Sequence, residues 1–560
     1  MVALAGWWAC ALMWMRSVDW VGRDATRLKL APAFWSTVTS LPFVVTALIV
    51  WWIPSTIACF VLLALAWLVP LGIYVRQRNR KLPESQRVAT PGHARRIVAG
   101  LLEPFGVEIA TGGAEDEDSL LPQVEFQAAG GTDPAEDAAR QEKAAALPGW
   151  AAAVRLVQEG VQARADAIAV EPAAEGMLVR HQVDGVWQRK RTRVPPKGRK
   201  NRERWQEAAA SSREEGLAIM QAFQALCGLS GNKPQAGRFA VRVDGKPRQC
   251  RMTLQAASAG PRLVVSLEPP AAAFKVLGDL GMPEPLAEAV RTMLALEKGL
   301  LLVAGPAGSG LTTTFDLVVQ SADRLMRDFV SLEDAAAPPR QIQNVRPVRF
   351  DARTGTTPSA ALAIALREYP NVIITRDIRD KVLLGELVKL AADGQFVIVS
   401  IAATDACEAV ARVVAAGVPK DLLARTCVGV LAQRLVRRVC PKCREDHPPP
   451  PELLRRLGQT AEEVPTIHRA AAEGCRLCQG TGYLGRTAVF ELASGPALRQ
   501  ALAAGEPSPA LRAAAVKGGM RPLAAAGLAI VATGVTSLEE VQRALAPPAA
   551  AAKPRTEARK

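Results

Sequence analysis

Gly299-Leu-Leu-Leu-Val-Ala-Gly-Pro-Ala-Gly-Ser-Gly-Leu-Thr-Thr-Thr314 is the stretch on which the fold turns. Its apolar opening reads as a buried strand, the glycines at 305, 308 and 310 as a tight loop, and Leu311 onward as a helix start. That order predicts an α/β domain. Loop glycines let backbone N–H groups converge on phosphates at a helix N-terminus, and Thr312 offers the hydroxyl that holds magnesium in such loops. The candidate phosphate contacts are therefore Gly305, Gly308, Ser309, Gly310, Leu311, Thr312 and Thr313. Leu311 stands where the pattern asks for lysine. A charge-assisted hydrogen bond is worth about 1.5–3 kcal/mol, so binding is expected to weaken by about tenfold to a few hundredfold. Catalysis suffers more, because that charge also stabilises the phosphoryl group in transfer. Taken alone, a glycine-rich turn that binds nothing has the same look.

Downstream, Cys440-Pro-Lys-Cys443 and Cys475-Arg-Leu-Cys478 form two CxxC pairs separated by 31 residues. Each pair can present two thiolates to one ion, and the set suits a tetrahedral structural zinc site. The other six cysteines are scattered singly, which excludes an extracellular disulfide framework. Beyond the cysteines, Leu498 to Leu545 reads as helical, with a capping-box start at Thr536-Ser-Leu-Glu539.

Upstream, short alternating strands (Ala167–Val170, Met177–Val183, Phe239–Val243, Leu263–Leu267) and a helix over Glu214–Leu229 predict a smaller α/β domain. Near the start, Pro32–Ile53 and Ile57–Val75 are each apolar and long enough to span a bilayer. Basic residues flank the pair on both sides, which places both ends in the cytoplasm. The expectation is a transmembrane helical hairpin; one long or re-entrant segment is the alternative. Met1–Met15 is apolar but short, and is expected to be an interfacial segment or a misassigned start. The net charge of +15 is partly gathered in Arg189–Arg204, expected as an exposed loop, with anionic lipid or nucleic acid as other readings.

From about Arg164 to Leu545 the chain resembles the type II secretion and type IV pilus assembly ATPase family. Val330-Ser-Leu-Glu333-Asp334 sits where that family has its aspartate box, so the resemblance makes Glu333 the residue that orients or deprotonates the attacking water. Pro370-Asn-Val-Ile-Ile-Thr-Arg376-Asp377-Ile-Arg379-Asp380 matches its Walker B strand, with Arg376 for the usual glycine and Asp377 for the usual glutamate. Ala402, Gln395 and Ala169 stand at positions where the family has histidine. Arg251 and Arg262 match arginines that reach toward nucleotide, while Ser266 replaces another.

The resemblance implies a RecA-like core, ATP with Mg2+ at weakened affinity, a structural Zn2+ at Cys440, Cys443, Cys475 and Cys478, and a homo- or hetero-hexamer with related ATPases. It also implies an inner-membrane platform protein as partner, no nucleic acid, and residence at the bacterial cytoplasmic membrane with the main domains in the cytoplasm. The expected layout is an N-terminal segment (1–31), the hairpin and its basic flank (32–81), a partly disordered linker (82–148), a first α/β domain (149–275), the nucleotide domain (276–439), the zinc module (440–490), a helical segment (491–546) and a disordered tail (547–560). Losses of lysine, histidine and arginine at one site favour a membrane-anchored pseudo-ATPase serving as scaffold or regulator. An active hexameric motor powering secretion or pilus assembly is the alternative, and a nucleic-acid motor a third.

Overall fold

The computed structural model describes residues 2–27, 31–81, 88, 121–131, 133–194, 204–231, 233–268, 274–336, 339–351 and 354–546. His93–Leu102, whose sequence reads as a short helix within the linker, lies outside the described residues, as do most of the expected linker and the tail from Pro547. The chain divides into two units, Met1–Pro122 and Gln123–Lys560.

The first unit is three helices: α1 (Val2–Arg27), α2 (Pro32–Ile49) and α3 (Thr56–Lys81). Segments Ala33–Trp52 and Ile57–Asn79 are long and apolar enough to cross a membrane. The short N-terminal segment expected from the sequence is instead a 26-residue helix packed on the other two. Trp14, Ser17, Val21 and Asp24 recur at helical spacing on one face. Trp14 stacks on Phe43 with ring centroids 4.5 Å apart, and Val21 is fully buried. Trp67 Nε1 donates to Ser17 Oγ at 2.8 Å, while Tyr74 and Arg78 both donate to Asp24. Arg16, Asp19 and Arg23, interleaved on the other face, broke up the apolar run and hid the helix.

The second unit holds two large sheets. In the first, β1 (Val124–Ala128), β2 (Ala165–Ala173), β3 (Gly176–Val183), β4 (Val186–Arg189), β7 (Gln235–Val243), β8 (Lys246–Ala257) and β9 (Gly260–Leu267) run in the order β1-β7-β8-β9-β2-β3-β4, antiparallel throughout. Three helices, Pro134–Ala145, Trp150–Gln162 and Arg213–Leu226, contribute to its core around Phe126, Phe223 and Phe239. The domain thus begins near Gln123, inside the stretch expected to be linker. Val124-Glu-Phe-Gln-Ala128 alternates like a strand, and Asp133 caps the next helix by accepting from Glu136 N at 2.7 Å. The basic run is likewise not a free loop at its ends: β5 (Arg191–Val194) and β6 (Arg204–Glu207) pair as a hairpin. Arg191 donates to the carbonyl of Gly480 at 2.6 Å, docking the hairpin on the cysteine module.

The second sheet has β10 (Gly299–Ala304), β11 (Phe329–Asp334), β12 (Arg346–Phe350), β13 (Val372–Thr375), β14 (Phe396–Ile401), β15 (Cys427–Val439) and β18 (Tyr483–Ser494) in the order β12-β11-β13-β14-β10-β15-β18. All neighbours are parallel except β15 and β18. Strands β10, β13 and β14 are buried along their whole length, as a parallel sheet covered on both faces requires.

The cysteine module is an insertion at the turn of the β15–β18 pair, which stays in register from Gly429↔Ser494 to Arg437↔Arg486 and shifts register before Val439↔Tyr483. The boundary expected at residue 490 therefore falls inside β18; the module ends by Gly482. It contains the short pair β16 (Glu445–His447) and β17 (Ile467–Arg469) and the helix Pro451–Leu457. Its Leu453, Val464 and Ile467 share one small core with Leu528, Val531 and Val541 of the C-terminal helices. The last helix, Leu538–Leu545, is capped by Ser537 rather than Thr536, one residue later than the sequence suggested. Thr536 Oγ1 instead donates to Arg437 O at 2.7 Å.

Candidate functional site

The glycine loop leaves the carboxyl end of β10, flanked by β14 and β15, and feeds the helix Leu311–Gln320. Gly308 and Gly310 adopt φ of 76° and 77°, which side chains with a Cβ rarely take. Gly305 is pinned to the end of β14 through Gly305 N–Ile401 O and Ala403 N–Gly305 O, both 3.3 Å. A Cβ on Gly305 would meet Ser309 Oγ at 2.4 Å, so a larger residue there would force the Ser309 side chain to shift. From β15, Gln433 Nε2 donates to Ser309 O at 2.7 Å and fixes the loop from below. Ser309 Oγ is buried with no partner. The first N–H groups of the helix have no intrahelical acceptor, so the loop keeps the donors that an oligophosphate needs. Thr312 and Thr313 are exposed at its mouth.

Leu311 does not face that mouth alone. It is half-buried and packs against the apolar cluster that contains Leu431, Phe490 and Phe315, beside Leu435. An aliphatic side chain belongs in this setting, whereas a lysine would have to extend its ammonium out of it.

The acidic residues are arranged around an arginine. At the end of β13, Arg376 Nε and Nη2 donate to Asp316 Oδ1 at 3.0 and 2.8 Å. Its Nη1 donates to Ser331 Oγ at 3.4 Å and lies 3.9 Å from Glu333 Oε1. Burial pushes the Asp316 carboxyl above its usual range, and the neighbouring Arg376 guanidinium offsets this only in part. Glu333 is therefore brought beside the loop helix, buried and facing a guanidinium. Asp377 is elsewhere: it has φ 47°, is half-exposed and accepts from Arg379 Nε at 2.9 Å. It lines a cavity of about 500 Å3 with Ala402 and Arg412. Arg251 is exposed on β8, and Arg262 is engaged by Glu171 at 3.2 Å and stacks on Trp187. Among the described residues no hydrogen bond or ion pair joins either arginine to the loop.

Gln433, Asp316 and the charge of Arg376 were not singled out from the sequence as parts of one site. The signals were a glutamine in the otherwise apolar start of β15, an aspartate in the apolar run Phe315–Val319, and an arginine where glycine is usual.

In the cysteine module the four sulfurs all lie within 4.8 Å of one another. Cys440–Cys475 and Cys443–Cys478 are 3.7 Å apart and Cys475–Cys478 3.8 Å. Four thiolates held about 2.3 Å from one tetrahedral zinc lie about 3.8 Å apart. The donor set fits that ion. Cys478 Sγ also accepts from the backbone N–H of Cys475 and Gly482 at 3.1 and 3.2 Å, which holds the sulfur in place.

Residues 148–543 match the family described as "Type II/IV secretion system protein". The chain belongs to that family. Its relatives include the type II secretion system protein HxcR of Pseudomonas aeruginosa, 31% identical over 69% of this chain and 75% of that protein. The type IV pilus assembly ATPase PilB of Thermus thermophilus is 29% identical over 69% of this chain and only 42% of its own length. This chain thus spans less than half of PilB. Among solved structures it is similar to the pilus retraction motor PilT with bound ADP (16% identity, 70% of this chain and 96% of that one, TM-score 0.41). It is also similar to the ATPase DotB of Yersinia pseudotuberculosis (16%, 76% and 97%, TM-score 0.45). Membership of the family carries the expectation of ATP with magnesium, against which the Leu311 and Arg376 substitutions stand out.

Proposed function

We propose that this chain is a membrane-anchored pseudo-ATPase of a type II secretion or type IV pilus assembly system. Its RecA-like domain binds ATP weakly, and Gly305, Gly308, Ser309, Gly310, Leu311, Thr312 and Thr313 form the phosphate cradle. Hydrolysis is impaired, and the chain acts as scaffold or regulator in a ring with itself or with active relatives, against a platform protein of the inner membrane. The observation that carries this is Leu311: the side chain at the lysine position is seated in the apolar cluster while the loop around it keeps its glycine geometry. Glu333, the expected base, faces Arg376 rather than open space, and Asp377 pairs with Arg379. The two apolar segments support the anchor, and the quartet of sulfurs supports one structural zinc at Cys440, Cys443, Cys475 and Cys478.

The test is equilibrium ATP binding and phosphate release by the full chain in detergent, beside Leu311→Lys. Bound ATP without turnover, and no turnover in the variant, is the expected result. Sustained release near about 1 per second, ordinary for an enzyme, would establish a working motor instead. Absence of binding would leave a scaffold independent of nucleotide.

A further inference from the structure

The family's nucleotide comes with magnesium, and the residues around this loop do not fit that ion. A magnesium ion needs near-octahedral oxygen ligands, one or two of them carboxylate, beside the threonine of the loop. Asp316 lies four residues after Thr312, so the two share one face of the helix Leu311–Gln320 about one turn apart. The other carboxylate at this place is Glu333. Both are already turned to Arg376: two hydrogen bonds run to Asp316, and Glu333 is 3.9 Å from Nη1. The guanidinium carbon also sits 5.2 Å from the ring centroid of Phe315, so the side chain is held between two elements, the loop helix and β11. Arg376 and Asp316 are each 14% exposed and Glu333 8%. A fixed cation so poorly screened repels a dication placed a few ångström away. Asp377, the remaining carboxylate of the expected set, is spent on Arg379.

We propose that Arg376 stands in for the divalent cation, so that this site takes its nucleotide as the free polyphosphate, without magnesium. The proposal rests on the reading of the loop as a nucleotide site. The arginine occupies the position of the usual glycine in the strand-end motif, where no side chain would otherwise reach the carboxylates. Its positive charge neutralises one of the two acids that would otherwise repel a phosphate chain, a task that the metal performs elsewhere.

The test is calorimetric titration of ATP into the full chain in detergent, once in excess EDTA and once in excess magnesium. Wild-type binding is expected to weaken by about tenfold or more in excess magnesium, which turns nearly all the ATP into the complexed form that the site excludes. The Arg376→Met variant, which leaves the two acids unneutralised, is expected to lose about tenfold or more in EDTA and to regain affinity with magnesium. Wild-type binding as tight in magnesium as in EDTA, or tighter, would overturn the proposal while leaving the nucleotide reading intact. Wild-type binding in neither condition would instead remove the nucleotide reading, and this proposal with it. The wild-type comparison needs no variant, so misfolding of Arg376→Met cannot shelter the idea.

Discussion

The glycine loop and the cysteine quartet both rest on one strand, β15, and use its residues in opposite ways. Cys440 follows the end of β15, and in the quartet the chemical groups are the structure: four sulfurs replace a core that so small a module cannot build. Gln433, seven residues earlier, supports a loop whose shape is held by neutral groups. Two backbone hydrogen bonds to the end of β14, one amide, two glycines in the left-handed region and an aliphatic Leu311 suffice. A charged residue can leave the loop without loosening it. A sulfur that leaves the quartet is expected to undo it. Keeping a fold is therefore no evidence of keeping its chemistry, except where one depends on the other.

The largest effect is expected at the quartet. Structural zinc in small modules contributes on the order of 10 kcal/mol of binding free energy. Cys478→Ser is expected to lower bound zinc from one ion per chain to none, by metal analysis, and to open residues 441–482 to limited proteolysis. Full zinc content in that variant would place the quartet with the loop, as chemistry the fold does not need.

Glu540 comes next. Its side chain is wholly buried and is shared by Arg437 of β15 and Arg543, with contacts from 2.6 to 3.0 Å, so it ties the last helix to the root of the module. Burial pushes its carboxyl up, but the hydrogen bonds from Arg543 and Arg437 outweigh burial and hold it below its usual range. A depressed carboxyl adds stability above the unfolded value of about 4.3 and loses it as pH falls through the folded value. Glu540→Ala, which leaves Arg437 without its buried partner, is expected to cost about 3–5 kcal/mol in urea denaturation at pH 7. The gap from wild type should narrow below about pH 4.

The sequence showed the glycine loop, the flanking strands and the cysteine pairs because each is a local pattern. It hid α1, where charges on the opposite face interrupt the apolar run, and β1, a five-residue strand in an acidic stretch whose partner β7 is more than a hundred residues away. The site was legible in its losses but not in its replacements. Leu311, Asp377 and Ala402 could be named from their positions. That Arg376 reaches Asp316 across 60 residues, and that Glu333 faces it, depends on strand order β11-β13-β14-β10, which no local pattern fixes.

A smaller effect should separate shape from charge within the loop itself. Gln433→Leu removes the amide that holds Ser309 O, and an unsatisfied buried carbonyl costs about 1–3 kcal/mol. Leu311→Lys, by contrast, loses about 0.5–1.5 kcal/mol of apolar burial and should restore no turnover. If the lysine proved stabilising and active, the loop would have kept its chemistry after all. Urea denaturation and phosphate release, read on the same samples, decide this.

The smallest effect is expected where charge looks most important. Asp316 and Arg376 form a buried pair like that of Glu540, yet the balance has the other sign: burial raises the Asp316 carboxyl and the guanidinium does not bring it back. A carboxyl raised above its unfolded value of about 3.9 contributes stability that is present below that pH and lost as pH rises through the folded value. At neutral pH the ionised Asp316 therefore gains nothing for the fold. Replacing the pair by Asp316→Asn with Arg376→Gln, which keeps donor and acceptor groups of similar reach, is expected to lie between no change and a gain of about 1 kcal/mol at pH 7. The same replacement should look less favourable as pH falls, because a carboxyl that burial holds above its unfolded value takes up its proton more readily in the folded chain. A loss of 3 kcal/mol or more at pH 7, on the scale of Glu540→Ala, would make the pair a structural tie like Glu540 and leave its place beside the loop without meaning for nucleotide.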